Sequence, residues 1–155
     1  MADAIVEQIL ADWTTTLAGI STDNGFLHDF DKVERWHAGD MAQDGQIILE
    51  VKQGTVTPSD LQVMGTQMST VTIQTLLKVR HDPAVDGLSS DTVMNRLEQD
   101  LYKAVMADPT RTGLAETTRY LGSGPADLDD GTGRVIKAVE YAVDYRHSET
   151  DMSAP

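Results

Sequence analysis

The sequence predicts an α+β domain, a mixed and mainly antiparallel sheet of four to five strands with two main α-helices packed against it, and three stretches carry that prediction. From Ser90 to Asp108, Val93, Leu97, Leu101 and Val105 recur every four residues with Met94 and Ala104 beside them, while Asp91, Asn95, Arg96, Gln99 and Lys103 point elsewhere. That is a helix with one apolar face, and it needs an apolar surface to lie on. Before it, Val71, Ile73, Thr75, Leu77 and Val79 alternate with polar neighbours; after it, Val135, Lys137, Val139, Tyr141, Val143 and Tyr145 do the same. Two long strands with one buried face each supply the surface.

Each further element has its own local signal. Asp3 is read as the cap of a first helix in which Ile5, Ile9, Trp13 and Leu17 fall at four-residue spacing, with Gly19 as its stop. Trp13 belongs to its core-facing stripe. Asn24-Gly25 is a turn, and Phe26 to Trp36 then reads as a strand irregular near Asp31, because Phe26, Phe30 and Val33 break strict alternation. Ala38 to Gly45 is a polar loop, and Gln46 to Lys52 is a second strand expected to pair antiparallel with the first.

Gln53 to Gln67 carries few apolar residues among threonines and glycines, and about fifteen residues is long for a plain connection. It is read equally as a flexible surface loop or as a projecting loop that docks on something, the second reading taking Leu61, Val63, Met64 and nearby Met68 as assembly contacts. Ser90 is the expected N-cap of the central helix and Pro109 its stop. Glu116 to Leu121 is a short strand, followed by a loop bearing Asp127, Asp129 and Asp130. The tail 148–155 is polar and expected to fray.

Composition narrows the function. With 12 Lys plus Arg against 25 Asp plus Glu the net charge is −13, which repels nucleic acid phosphates instead of gripping them. The cysteine count is zero, so disulfides, thiol nucleophiles and thiolate metal sites are excluded. No apolar run approaches a membrane span and the start lacks a basic leader, so the chain is expected to be a soluble single domain, 1–155, made in the cytoplasm.

No catalytic or cofactor signature emerges. The Asp127 to Gly131 loop fails the calcium pattern, since its glycine arrives one residue early and Ala138 stands where the bidentate glutamate belongs. Gly122 to Gly124 has no lysine to make a phosphate cradle. His28, His37, His81 and His147 lie in separate loops or strand ends, with no helical metal spacing. The expectation is no enzyme, no metal and no cofactor.

Several local signals together resemble a known family. Asn24-Gly25-Phe26 opening a strand to Val33, Arg35 and Trp36, then Leu97, Leu101 and Ala104 before Ala107-Asp108-Pro109-Thr110, Gly113-Leu114-Ala115, and finally Val139, Tyr141, Val143, Tyr145 and Arg146 are similar to the tail terminator, or tail-completion, proteins of long-tailed bacteriophages. Arg111 and Thr112 depart from the pattern, standing where a more apolar and glycine-rich turn is expected. The resemblance implies a virion protein at the head–tail junction: a ring, usually of six subunits, that ends tail-tube growth and presents a surface to neck proteins. Its partners would be further copies of itself, the tail tube protein and a neck or head-completion protein. Six copies at −13 each carry about −78, and a lumen lined by carboxylates such as Asp127, Asp129 and Asp130 would let DNA pass without holding it. The rival readings are a neck connector or tube subunit and, from another class, a small acidic ligand-binding domain or enzyme.

Overall fold

The computed structural model describes residues 3–36, 47–129 and 134–153, with the backbone alone at 60–63 and 129. In chain order it holds helix α1 (Ile5–Ala18), a single 3-10 turn at Thr22–Asn24, strands β1 (Lys32–Arg35), β2 (Ile47–Val63) and β3 (Thr66–Val79), a short helix α2 (Pro83–Asp86), the long helix α3 (Ser90–Met106), and strands β4 (Thr117–Ser123), β5 (Asp127–Asp129) and β6 (Arg134–Ser148). The sheet order is β1-β2-β3-β6-β4, with β5 also on β6. Among the described residues only the β1/β2 pair is parallel. The domain is therefore α+β, as its periodicities predict.

Helices α1 and α3 cover one face of the sheet. Ile9, Leu10, Trp13 and Leu17 of α1 and Val93, Leu97, Leu101 and Val105 of α3 join Val71, Ile73, Leu77, Val139, Tyr141 and Val143 in one buried cluster. The period-two stripe of the strands meets the period-four stripes of the helices, so one apolar layer satisfies both. The β3/β6 pair forms the spine, in register from Thr66↔Ser148 to Val79↔Val135.

The caps differ from expectation by one residue each. Ser89, not Ser90, caps α3, its Oγ accepting the Thr92 N–H at 3.3 Å. Ala4 occupies the cap position of α1 without a side-chain bond; Asp3 contributes its carbonyl to Gln8 Nε2 at 2.6 Å. The freed Ile5 N–H goes instead to the Met152 carbonyl at 2.9 Å. A helix start needs acceptors for its first N–H groups, and here the tail provides one at Met152. Residues 154–155 lie outside the described residues.

Three sheet expectations are corrected. Of the Phe26–Trp36 strand only Lys32–Arg35 forms, and it runs parallel to β2. Gly25, at φ +83°, turns the chain, and the N–H groups of Leu27 and His28 both donate to the Asp100 carboxylate of α3, each at 3.0 Å. With those donors taken by a buried side chain, residues 26–29 have no use for a ladder. The loop expected at Ala38 to Gly45 lies outside the described residues.

The largest correction concerns Gln53 to Gln67. It is no arm: β2 runs unbroken in direction to Val63, turns at Met64-Gly65 with Gly65 at φ +78°, and returns as β3. Its irregular appearance in sequence comes from two register shifts, between Gln53 and Val56 and between Pro58 and Gln62. At the first, a Cβ on Gly54 would meet the Thr72 carbonyl at 2.9 Å, so glycine is needed for the two strands to close. At the second, Gln67 Nε2 reaches across to the Ser59 carbonyl at 2.7 Å and replaces a missing ladder bond.

Candidate functional site

Two opposite edges of the sheet hold the expected site residues. On one side β1 pairs β2 only as far as Val51. Beyond it, among the described residues, β2 presents a free edge to Val63, and Pro58, which has no N–H to offer, sits on that edge. At its far corner Met64 is 98% exposed, the most exposed large apolar side chain described. Met68 is half-buried on β3 and paired with Arg146, while the side chains of Leu61 and Val63 lie outside the described residues. The structure thus brings Met64 and Met68 to one end of a hairpin.

That hairpin is nearly free of charge. A single charge, Asp60, stands between Lys52 and Lys78 in a chain whose residues are 24% charged. Natural edge strands are blunted by charged side chains, lysine above all, to prevent association. This edge has bulges and one proline but almost none of that protection.

The opposite edge is built by β4 and β5. Both pair β6, at Ser123↔Val139 and Asp127↔Ile136, so they are one edge strand interrupted at Gly124–Ala126. A bulge between Tyr120 and Gly122, with Gly122 at φ +137°, starts the departure. The break opens a groove in two continuous parts. One is ≈410 Å³, lined by Pro125, Asp127, Leu128, Ile136 and Ala138; the other is ≈320 Å³, lined by Leu121, Ser123, Ala138 and Glu140. Leu121 is 50% and Leu128 64% exposed beside it. Of the three aspartates expected at a lumen or rim, Asp127 is exposed at this groove; the side chain of Asp129 and all of Asp130 lie outside the described residues.

Most cations of the described residues are already engaged. Lys32 pairs with Glu34, Arg35 with Glu7, Lys78 with Glu50, Arg119 with Asp144 and Arg146 with Glu116, all within 3.1 Å. Pairing neutralises these cations, and with 25 Asp plus Glu against 12 Lys plus Arg the surplus carboxylates set a negative outer field.

The three histidines among the described residues are structural braces, and His37 lies outside the described residues. His28 Nδ1 lies 3.0 Å from Asp100. His81 bridges Ser90 Oγ and Asp86, each at 3.1 Å, which ties the α2 turn to the start of α3. His147 Nε2 lies 3.1 Å from Ser69 Oγ. The Ser90, His81 and Asp86 sequence has the order of a nucleophile, base and acid, but Ser90 opens a helix and none of the three lines the grooves described above. No group of three metal-ligating side chains occurs among the described residues.

One charged cluster on the helix-covered face was invisible in the sequence because its members are far apart. Lys137 is 8% exposed and its Nζ sits 2.5 Å from Glu98 Oε2 and 3.2 Å from Asn95 Oδ1. Tyr120 donates its hydroxyl to Glu98 Oε1 at 2.6 Å. Burial raises the Glu98 pKa, but the bonds from Lys137, Tyr120 and Ser123 outweigh it and hold the carboxyl below its usual range. A depressed folded pKa means that the unfolded chain binds the proton more readily, so this stabilisation is present above the unfolded pKa and lost as pH falls through the carboxylate range. Glu98→Gln should therefore destabilise the protein at neutral pH and flatten the acid limb of its stability profile. An unchanged acid limb in pH-dependent urea unfolding would remove Glu98 from that role.

No protein-family model matches this chain, and no curated protein sequence matches it.

Proposed function

We propose that this protein is a structural ring subunit of the tail-terminator kind, which caps a phage tail tube, ends its polymerisation and offers a docking surface to neck proteins. The observation that carries this reading is the free edge of β2 and its turn, which carry a single charge, Asp60, from Gln53 to Met68 on a chain of net charge −13. Like-charged copies repel, so a contact between them forms at lowest cost where neither brings charge. The opposite edge offers a groove with Leu121, Leu128, Ile136 and Ala138 beside one carboxylate in each part, and two different complementary surfaces on one subunit are what a closed head-to-tail ring requires. The sequence resemblance supplies the remaining content of the proposal: about six subunits, a place at the head–tail junction of the virion, and a lumen that DNA crosses without specific binding. The acidic surface suits that passage, since DNA phosphates would slide along it without being held.

The test combines light scattering over a wide concentration range, electron micrographs of the largest species, and addition of the protein to polymerising tail tube subunits. The expected result is one closed ring and arrest of tube growth. Open-ended fibres would instead assign it as a tube subunit, and a strict monomer that leaves tube growth untouched would overturn the proposal.

A further inference from the structure

We infer that the groove at the β4–β5 break of one copy receives Met64, at the β2–β3 turn, of the next copy. The inference rests on the ring reading and gives it a specific contact. Met64 is 98% exposed, and the turn that carries it is uncharged from Leu61 to Met68. Methionine is apolar and flexible enough to fit an irregular cleft. The groove has the matching character, with Leu121, Leu128, Ile136 and Ala138 on its walls and one carboxylate in each part. The turn brings no charge of its own to the contact, so the Asp127 and Glu140 carboxylates at the groove meet no like charge from it, which lowers the repulsion between two chains of −13.

Position chooses a second copy over a contact within one chain. Strand β6 runs from Val135, beside the groove, to Ser148, which is level with Thr66 at the Met64 turn. Turn and groove therefore stand at diagonally opposite corners of one sheet. A subunit that gives its turn to one neighbour keeps its groove open for another, so contacts propagate until rotation closes them. Another cleft, ≈480 Å³, lies at the same end of the sheet as Met64 and spans β2, β3 and β6, with Val56, Pro58, Ser69, His147 and Met152 on its walls.

The absence of cysteine makes the contact directly testable. Met64→Cys and Leu128→Cys are made separately in the full-length protein and exposed, singly and mixed, to a mild oxidant or a short bifunctional thiol reagent. The mixed sample should cross-link about tenfold or more faster than either alone, and the double variant should give a ladder that ends in a closed species. Met64→Asp and Leu128→Asp should each weaken assembly by about tenfold or more, with circular dichroism unchanged, and their mixture should form a one-to-one pair through its single intact contact. Equal cross-linking in mixed and single samples, fastest linking of Met64→Cys to itself, or a wild-type monomer with no preferred link would each overturn the inference. Rings indifferent to both aspartates would overturn the contact and leave the ring reading standing. The expected cross-links in a protein that does not arrest tube growth would sustain the contact and remove the tail role.

Discussion

Replacing Arg111 with alanine is expected to lower the unfolding free energy by about 3–5 kcal/mol. The side chain is fully buried, and the carboxylates that act on its charge are Asp12, at 3.6 Å, and Asp108. Its guanidinium lies over the Trp13 ring, 5.3 Å from the centroid, and Nη2 donates to the carbonyls of Val105 and Asp108. The first of these carbonyls belongs to the last turn of α3 and the second follows it, where the helix leaves acceptors without intrahelical donors. Removing the guanidinium leaves both acceptors and Asp12 short of partners inside the protein. Arg111→Lys should recover only part of the loss, because an ammonium neither stacks nor reaches two carbonyls as a planar fork.

The pH dependence of this loss has a defined sign. Burial raises the Asp12 pKa and the Arg111 charge opposes it, leaving the carboxyl above its ordinary value. A raised folded pKa gives a contribution that is complete below the unfolded pKa and disappears as pH rises through the folded one. Without Arg111 the Asp12 pKa climbs further, so the penalty of the alanine variant should grow from acid to neutral pH. Urea midpoints at several pH values measure it. A penalty independent of pH would show that Asp12 and Arg111 are not coupled.

Trp13→Ala should be equally damaging, at about 3–5 kcal/mol. Trp13 has no exposed surface, packs edge-on against Tyr141 with ring centroids 5.2 Å apart, and points Nε1 at Thr75 Oγ1, 3.4 Å away. It touches α1, the sheet and the Arg111 turn at once, so no single neighbour can collapse into the space it leaves. Because Trp13 and Arg111 are stacked, the double substitution should differ from the sum of the singles by about 0.5–3 kcal/mol. Strict additivity would mean that the stack carries no energy of its own.

These two residues also show where the sequence pattern is readable and where it is not. Trp13 falls on the apolar stripe of α1, and its place in the core follows from spacing alone. Arg111 looks like an ordinary surface arginine in a turn after Pro109. Nothing local announces that Arg111 and Thr112 adopt φ +51° and +57°, a left-handed conformation that ordinary side chains avoid. Arg111 adopts it because the turn must swing its guanidinium inward onto Trp13 and the end of α3. The glycine-rich turn expected there is replaced by an arginine held by long-range contacts.

The candidate surfaces divide in the same way. Met64 is singled out in the sequence as one of the few apolar residues of a long segment, and its side chain is exposed in the structure. Leu121 and Leu128 were not nominated, because the β4–β5 break depends on which side of β6 each segment pairs. Read along the chain, Gln53 to Gln67 suggests a loop, since two bulges erase the alternation that marks a strand. The ladder to β3 overrides that weak local signal, and the supposed arm becomes the edge of the sheet.

What the sequence determined by itself is whatever repeats at short range: the apolar stripes of α1 and α3, the alternation of β3 and β6, the stop at Pro109 and the acidic surplus. Periodicity encodes a face, and a face must be buried, so α+β layering follows without knowledge of any partner. The tertiary structure alone decided the parallel β1, the capture of the Leu27 and His28 N–H groups by Asp100, the buried Arg111, and the placing of Met64 and the groove at opposite corners of one sheet. Each of these joins residues distant in sequence through hydrogen bonds or strand register, and such contacts depend on the folded arrangement more than on the local preference of either partner.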